Sequence, residues 1–222
     1  MKNIEARNDF DPEKEVPSLG GKVLFITGEI HFAVNHLGNS MVIDCLLPTL
    51  LRTADLPNSD VRILVTTSMG YGFHPSNGIS FAELDNRSPM SRLMLGGWIR
   101  YGHSKLANIL YPSELARRYP QITSVSVHPG VVATDLMYNQ TWQVRWFIHI
   151  TCWMQGIKYL TPQQGAWNQV WCATVAKKKE LVNGGFYYPV GVEKLSKLDK
   201  TANDKDLAGR LWNWTQDVLQ RF

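Results

Sequence analysis

Residues 22–28 (KVLFITG) form a continuous apolar run closed by a glycine. A run this short, without polar alternation, is the pattern of a strand buried on both faces. Two more segments read as buried strands: 61–68, rich in β-branched residues, and 122–127, closed by Pro129-Gly130. Between them the period becomes helical. From Phe32 to about Leu51, apolar residues recur at Val34, Leu37, Met41 and Cys45, with Pro48 as a kink or stop near the far end. Residues 98–119 read as a long helix with Leu106, Ile109, Leu110 and Leu115 on its apolar side. Pro162 suits the first turn of another helix behind Thr161 as N-cap. Residues 186–190 read as a final short strand, and Leu207, Leu211, Trp214 and Val218 mark an amphipathic C-terminal helix. Buried strands alternating with helices imply an α/β fold, a doubly wound parallel sheet covered on both faces.

No repeat or low-complexity linker interrupts the 222 residues, so one domain is expected over 1–222, with a polar segment at 1–21 and the core at 22–222. A hydrophobic content of 44% with a net charge of only +4 excludes a disordered chain. The longest basic run, Lys177-Lys178-Lys179, is followed at once by Glu180, so no nucleic-acid partner is expected. Cys45, Cys152 and Cys172 are odd in number and far apart, which points to a reducing, cytoplasmic location. The acidic N-terminal segment, with Asp9, Asp11, Glu13 and Glu15, is unlike a secretory signal. No run of about 18 apolar residues is present to cross a bilayer. The aromatic segment 142–153, broken by Arg145, reads as buried or interfacial, which leaves a peripheral membrane contact open. The six histidines never fall at ligand spacing, so no metal site is expected.

Tyr101 and Lys105 are one helical turn apart and share a helix face. A free phenol ionises near pH 10; lowering that by about 3 units takes roughly 4 kcal/mol, within the means of a nearby cation and a bound cofactor. Ser68 ends the second buried strand, and residues 129–134 leave the third, both at the carboxyl edge where open α/β sheets place ligands. Taken singly, each has a plain structural reading: a chance helical pair, a turn serine, a strand-ending turn. Together and in this order they point to acid–base chemistry. A serine hydrolase fits poorly, because Ser68 lacks the first glycine of a nucleophile elbow and His128 precedes Asp135.

At these residues the chain resembles the short-chain dehydrogenase/reductase family. Thr66-Thr67-Ser68 is similar to its catalytic-serine strand, Tyr101 to Lys105 to its Tyr-x-x-x-Lys helix, and Pro129 to Thr134 to its Pro-Gly-x-x-x-Thr cofactor loop. Residues 32–38, with Asn35, look like the helix of its catalytic asparagine, and residues 101–108 and 211–215 are most similar to the retinol-dehydrogenase-like branch. The resemblance implies a Rossmann-like fold and hydride transfer between NAD or NADP and a small lipophilic alcohol or carbonyl substrate. Tyr101 would be the general acid/base and Ser68 the partner of the substrate oxygen. Lys105 would lower the phenol's pKa and hold the nicotinamide ribose, while Asn35 would anchor a relay water. Thr27, Gly28, Pro129, Gly130, Val132 and Thr134 would complete the cofactor site together with Tyr101 and Lys105. Trp142, Trp146, Phe147 and Trp153 fall where the family places a substrate lid, with core packing or a dimer contact as the alternative. A homodimer through the Tyr–Lys helix is also implied.

The pattern breaks after Thr27-Gly28. The family's Thr-Gly-x-x-x-Gly-x-Gly turn should follow, opening a helix whose N-terminus binds the pyrophosphate. Glu29-Ile30-His31 lead instead directly into the asparagine helix. The gap equals roughly two βαβ units of about 30 residues plus a strand, so an internal deletion of most of the cofactor-binding half is inferred. Loss of four to six polar contacts at about 1 kcal/mol each would weaken dinucleotide binding about 10³-fold or more. An inactive, truncated dehydrogenase acting through dimerisation is the alternative. In either case residues 22–28 are expected to slide beside 61–68.

Overall fold

A computed structural model of the chain describes residues 32–85, 96–133 and 158–221, with Trp146, His149, Ile150, Cys152, Trp153 and Gly156 between the last two stretches. The expected strand at 22–28 lies outside the described residues, as do Trp142 and Phe147.

A π-helical turn, Ala33–Gly38, runs without a break into helix α1, Asn39–Ala54. The wider turn shifts the phase of the side chains. The inward face is Phe32, Asn35, His36, Ser40, Ile43 and Leu47, while Val34, Met41 and Cys45 are exposed. This corrects the apolar stripe read from the sequence, which is the outward one. Asn35 and His36 on the buried face are bonded internally: His36 Nε2 lies 2.8 Å from Thr215 Oγ1, and Phe32 and Tyr111 meet its ring edge-on. Pro48 does not stop α1. It is exposed, so water can take the carbonyl whose donor proline lacks.

After α1 come strand β1 (Arg62–Thr66), a short helix α2 (Phe81–Asp85), the long helix α3 (Gly96–Arg118) and strand β2 (Thr123–Val127). Helix α4 (Pro162–Val170) opens with a capping box between Thr161 and Gln164 and a proline in its first turn, as the sequence implied. Strands β3 (Phe186–Tyr188) and β4 (Val192–Glu193) follow, then helix α5 (Lys205–Leu219), capped by Asp204. The sheet order is β1-β2-β3-β4. β1, β2 and β3 are parallel, with Arg62 opposite Thr123 and Val127 opposite Tyr187. The parallel sheet read from the sequence is present in β1 to β3, and β4, which was not read from the sequence, is antiparallel to β3: Gly191, at φ +69°, turns the chain straight back.

Both faces of the sheet are covered. Ile63 and Val65 of β1 join α1, α3 and α5 in one cluster, where Leu106, Ile109, Leu110, Leu115 and Leu211 are buried. Each such side chain contributes about 1.5–3 kcal/mol on burial. Val125, Val127 and Tyr187 pack with Cys172, Ala176 and Leu181 on the other face. Asn168 of α4 is fully buried and works on both neighbouring strands. Its amide nitrogen donates to the carbonyls of His128 and Tyr187 at 2.8 and 3.0 Å, and its oxygen accepts the Gly191 amide at 2.9 Å. Where α3 meets α5, the buried Glu114 carboxylate takes both Arg117 and Arg118, and the Arg118 guanidinium lies 4.7 Å from the Trp212 ring.

Candidate active site

Four of the candidate side chains gather near the carboxyl end of β1. Ser68 leaves the strand in an extended conformation and its hydroxyl accepts the Gly70 amide at 3.1 Å. The Tyr101 ring lies against Gly70 so closely that any side chain there would run into it. Glycine at position 70 is therefore what lets the phenol ring approach the Ser68 turn. Lys105, on the next turn of α3, is buried to 1% exposure with its ammonium 5.6 Å from the Tyr101 ring centroid. A cation this deep needs a compensating partner, and an aromatic face is one.

Two bonds fasten α3 to the strand end. Thr67 Oγ1 donates to the Lys105 carbonyl at 2.7 Å, and Asn108 Nδ2 to the Thr66 carbonyl at 2.9 Å. Asn35 reaches the same place from the π turn: its amide donates to Ser104 Oγ at 3.1 Å, and Ser104 in turn donates to the Tyr101 carbonyl at 2.9 Å. Pro129, Gly130 and Val132 leave the end of β2 half-buried. Gly130 has φ +88° and approaches Leu160, while Val132 bridges Leu160 in parallel. Thr27, Gly28 and Thr134 lie outside the described residues. Trp146 and Trp153 are 65% and 81% exposed, so neither is a core residue.

Sequence reasoning weighed His128 only as a hydrolase residue and gave the two fasteners no role of their own. His128 is buried directly before Pro129-Gly130, with its ring edge-on to Tyr188. Burial, joined by the Lys105 charge, holds its pKa at about 4, against the raising effect of a hydrogen bond to the Thr67 carbonyl. A neutral imidazole thus stands beside the lysine. The signal for it was positional: the last residue of a buried strand at the ligand edge.

Gly102 is where the backbone of α3 comes against neighbouring backbone. A Cβ there would stand 2.6 Å from the His74 amide nitrogen and the Phe73 carbonyl carbon. In an open helix Gly→Ala stabilises by about 1 kcal/mol. Here Gly102→Ala is expected to destabilise by about 1–3 kcal/mol, because backbone must move to admit the methyl group. Urea denaturation gives the sign directly, and a stabilised variant would contradict this packing.

No family model matches the chain. It is 30% identical over 205 residues to a short-chain dehydrogenase/reductase, drtF, of Aspergillus calidoustus, covering 87% of this chain and 62% of that one. It is 33% identical over 193 residues to human retinol dehydrogenase 11, covering 86% of this chain and 54% of the relative. The chain therefore spans between half and two thirds of the length of these curated relatives. The solved structure of an uncharacterized protein from Mycobacterium paratuberculosis shares the fold, with a TM-score of 0.56 at 22% identity, over 85% of this chain and 58% of that one. In sequence, the chain aligns with short-chain dehydrogenase/reductases, retinol dehydrogenases among them, over part of their length.

Proposed function

We propose that the site transfers hydride between a nicotinamide cofactor, NAD or NADP, and a small lipophilic alcohol or carbonyl compound. The observation that carries this reading is the Tyr101 ring seated on Gly70 beside Ser68, with the Lys105 ammonium buried behind it. In the reducing direction Tyr101 gives its phenolic proton to the carbonyl oxygen. Ser68 Oγ, already accepting from Gly70, turns its own proton toward that oxygen and steadies the developing charge. The Lys105 ammonium favours the phenolate left behind. Asn35 is a positioning residue in this scheme, holding Tyr101 through Ser104.

The residues present suit the nicotinamide end of the cofactor, which supplies the hydride. Pro129, Gly130 and Val132 form a half-buried ledge off β2, and Gly130, in a left-handed conformation, keeps that ledge free of a Cβ. Thr27, Gly28 and Thr134 are assigned to the same site by the family pattern. The glycines of the pyrophosphate turn are absent from the sequence, so affinity is expected to be weak, about 10³-fold below that of an intact site. Titration of the protein with NADH and with NADPH, followed by fluorescence and by calorimetry, tests this. Saturation in the high micromolar to millimolar range is expected, and no saturable binding up to millimolar cofactor rejects the proposal.

A second reading, self-association without turnover, draws on the outward stripe of Val34, Met41 and Cys45 ahead of and along α1. A strictly monomeric chain in sedimentation velocity rules it out. Among the described residues no helix is long and apolar enough to cross a bilayer.

A further inference from the structure

Thr67 stands between β1 and Ser68, and each of its polar groups is engaged. It is buried to 1% exposure. Its amide donates to the Val127 carbonyl at 2.9 Å, and its hydroxyl donates to the Lys105 carbonyl at 2.7 Å. Its carbonyl accepts a hydrogen bond from the His128 ring. Thr67 thus joins the end of β2 to the Lys105 turn of α3, and His128 supplies the side chain on the β2 side of that joint. The backbone of His128 is fixed without the ring: its amide donates to the Tyr187 carbonyl at 2.9 Å, and its carbonyl accepts from Asn168 Nδ2 at 2.8 Å. Val125 and Val127 pack with Cys172, so by strand alternation His128 points to the α3 face. There its ring meets Tyr188 edge-on, within the field of the Lys105 charge.

The two ring nitrogens differ. Nδ1 is buried and has no hydrogen-bond partner among the described residues, so the bond to the Thr67 carbonyl is made by Nε2. A carbonyl only accepts, which places the proton of the neutral imidazole on Nε2 and leaves a lone pair on Nδ1. Near a buried ammonium, the proton-free nitrogen is the stable form. An apolar side chain would fill this position without an unpaired polar atom, so the imidazole is explained by what its other nitrogen holds. We propose that His128 is a positioning residue of the acid–base pair: its Nε2–H holds Thr67, and through Thr67 it holds the Lys105 turn of α3 in the place that Tyr101 requires. The proposal rests on the hydride-transfer reading of the site. The Pro129-Gly130 ledge follows a backbone already fixed by Tyr187 and Asn168, so a change confined to the ring leaves the ledge in place.

Two substitutions separate this bond from the filling of space. His128→Gln keeps an N–H donor for the Thr67 carbonyl, and His128→Leu keeps bulk without a donor. In His128→Leu, kcat for reduction of a lipophilic ketone with millimolar NADPH or NADH is expected to fall about 10²-fold, the effect of a misplacement of about 1 Å. The KM for the ketone and the affinity for the cofactor should stay unchanged, and His128→Gln should recover most of the lost kcat. An unaltered kcat in His128→Leu, or no recovery in His128→Gln, overturns the proposal. Long-range 1H–15N spectra of the histidine rings in the unaltered protein at neutral pH read the tautomer without any variant: His128 should carry its proton on Nε2, and a proton on Nδ1 overturns the proposal. If the unaltered protein reduces no carbonyl compound, the hydride-transfer reading falls by itself. The tautomer and the backbone amide signal of Lys105 then decide: the signal should move in His128→Leu and return in His128→Gln, and a signal that stays fixed in His128→Leu overturns the proposal.

Discussion

Acidified from pH 6.5 to pH 5, the protein is expected to lose about 3 kcal/mol of folding stability, a large share of the roughly 5–15 kcal/mol a domain holds. Two deeply buried imidazoles carry most of this, and His103, its pKa also lowered by burial, acts in the same direction. Burial lowers the pKa of His36 to about 3 and that of His128 to about 4. In the unfolded chain each takes up a proton near pH 6.5. As the pH falls from 6.5 to about 5, the unfolded state's excess rises from about one proton to nearly two, and stability falls with a slope approaching about 2.7 kcal/mol per pH unit. Well above pH 6.5 both are neutral in both states and the dependence fades. Urea unfolding at a series of pH values measures the slope. His36→Phe keeps a ring among Phe32, Tyr111 and Thr215 and should halve the slope to about 1.4 kcal/mol per unit. A slope that stays the same in this variant would show that His36 is not held neutral by burial.

Tyr101→Phe should lower carbonyl reduction by about 10²–10⁴-fold, the range in which a positioned general acid contributes. That corresponds to about 3–5 kcal/mol of transition-state stabilisation. The substitution keeps the ring that packs on Gly70 and removes only the hydroxyl, so the fold and the Phe73–Trp98–Tyr101 aromatic group should survive. Cofactor affinity should change little. A steady-state assay with a lipophilic ketone and millimolar NADPH or NADH reads the first effect, and the cofactor titration reads the second. Undiminished turnover in the variant would remove Tyr101 from the chemistry.

The parts of the fold legible in the sequence are those whose pattern is local. α3 declares itself through Leu106, Ile109, Leu110 and Leu115, and α4 through Thr161 and Pro162. The strand cores at 62–66 and 123–127 stand out as unbroken stretches between turn residues. The convergence of Ser68, Tyr101 and Lys105 could be anticipated because strand ends and the next helix meet at one sheet edge. The inward face of α1 could not. It is lined by Asn35, His36 and Ser40, and what makes a histidine an interior residue there is a threonine 179 positions away. The π turn also offsets the period on which a 3.6-residue reading depends. His128 was obscured for the same reason, since its neighbours Thr67, Lys105 and Tyr188 come from three other segments. The reversal into β4 rests on a few residues around Gly191, too few to register as a strand pair.

The far side of the sheet has a consequence of its own. β3 has three residues and β4 two, too few for their ladder bonds to hold them against water. The Asn168 carboxamide supplies the missing rungs, serving two carbonyls and one amide from a helix that crosses behind. The chain thereby closes its sheet with a side chain in place of additional strand.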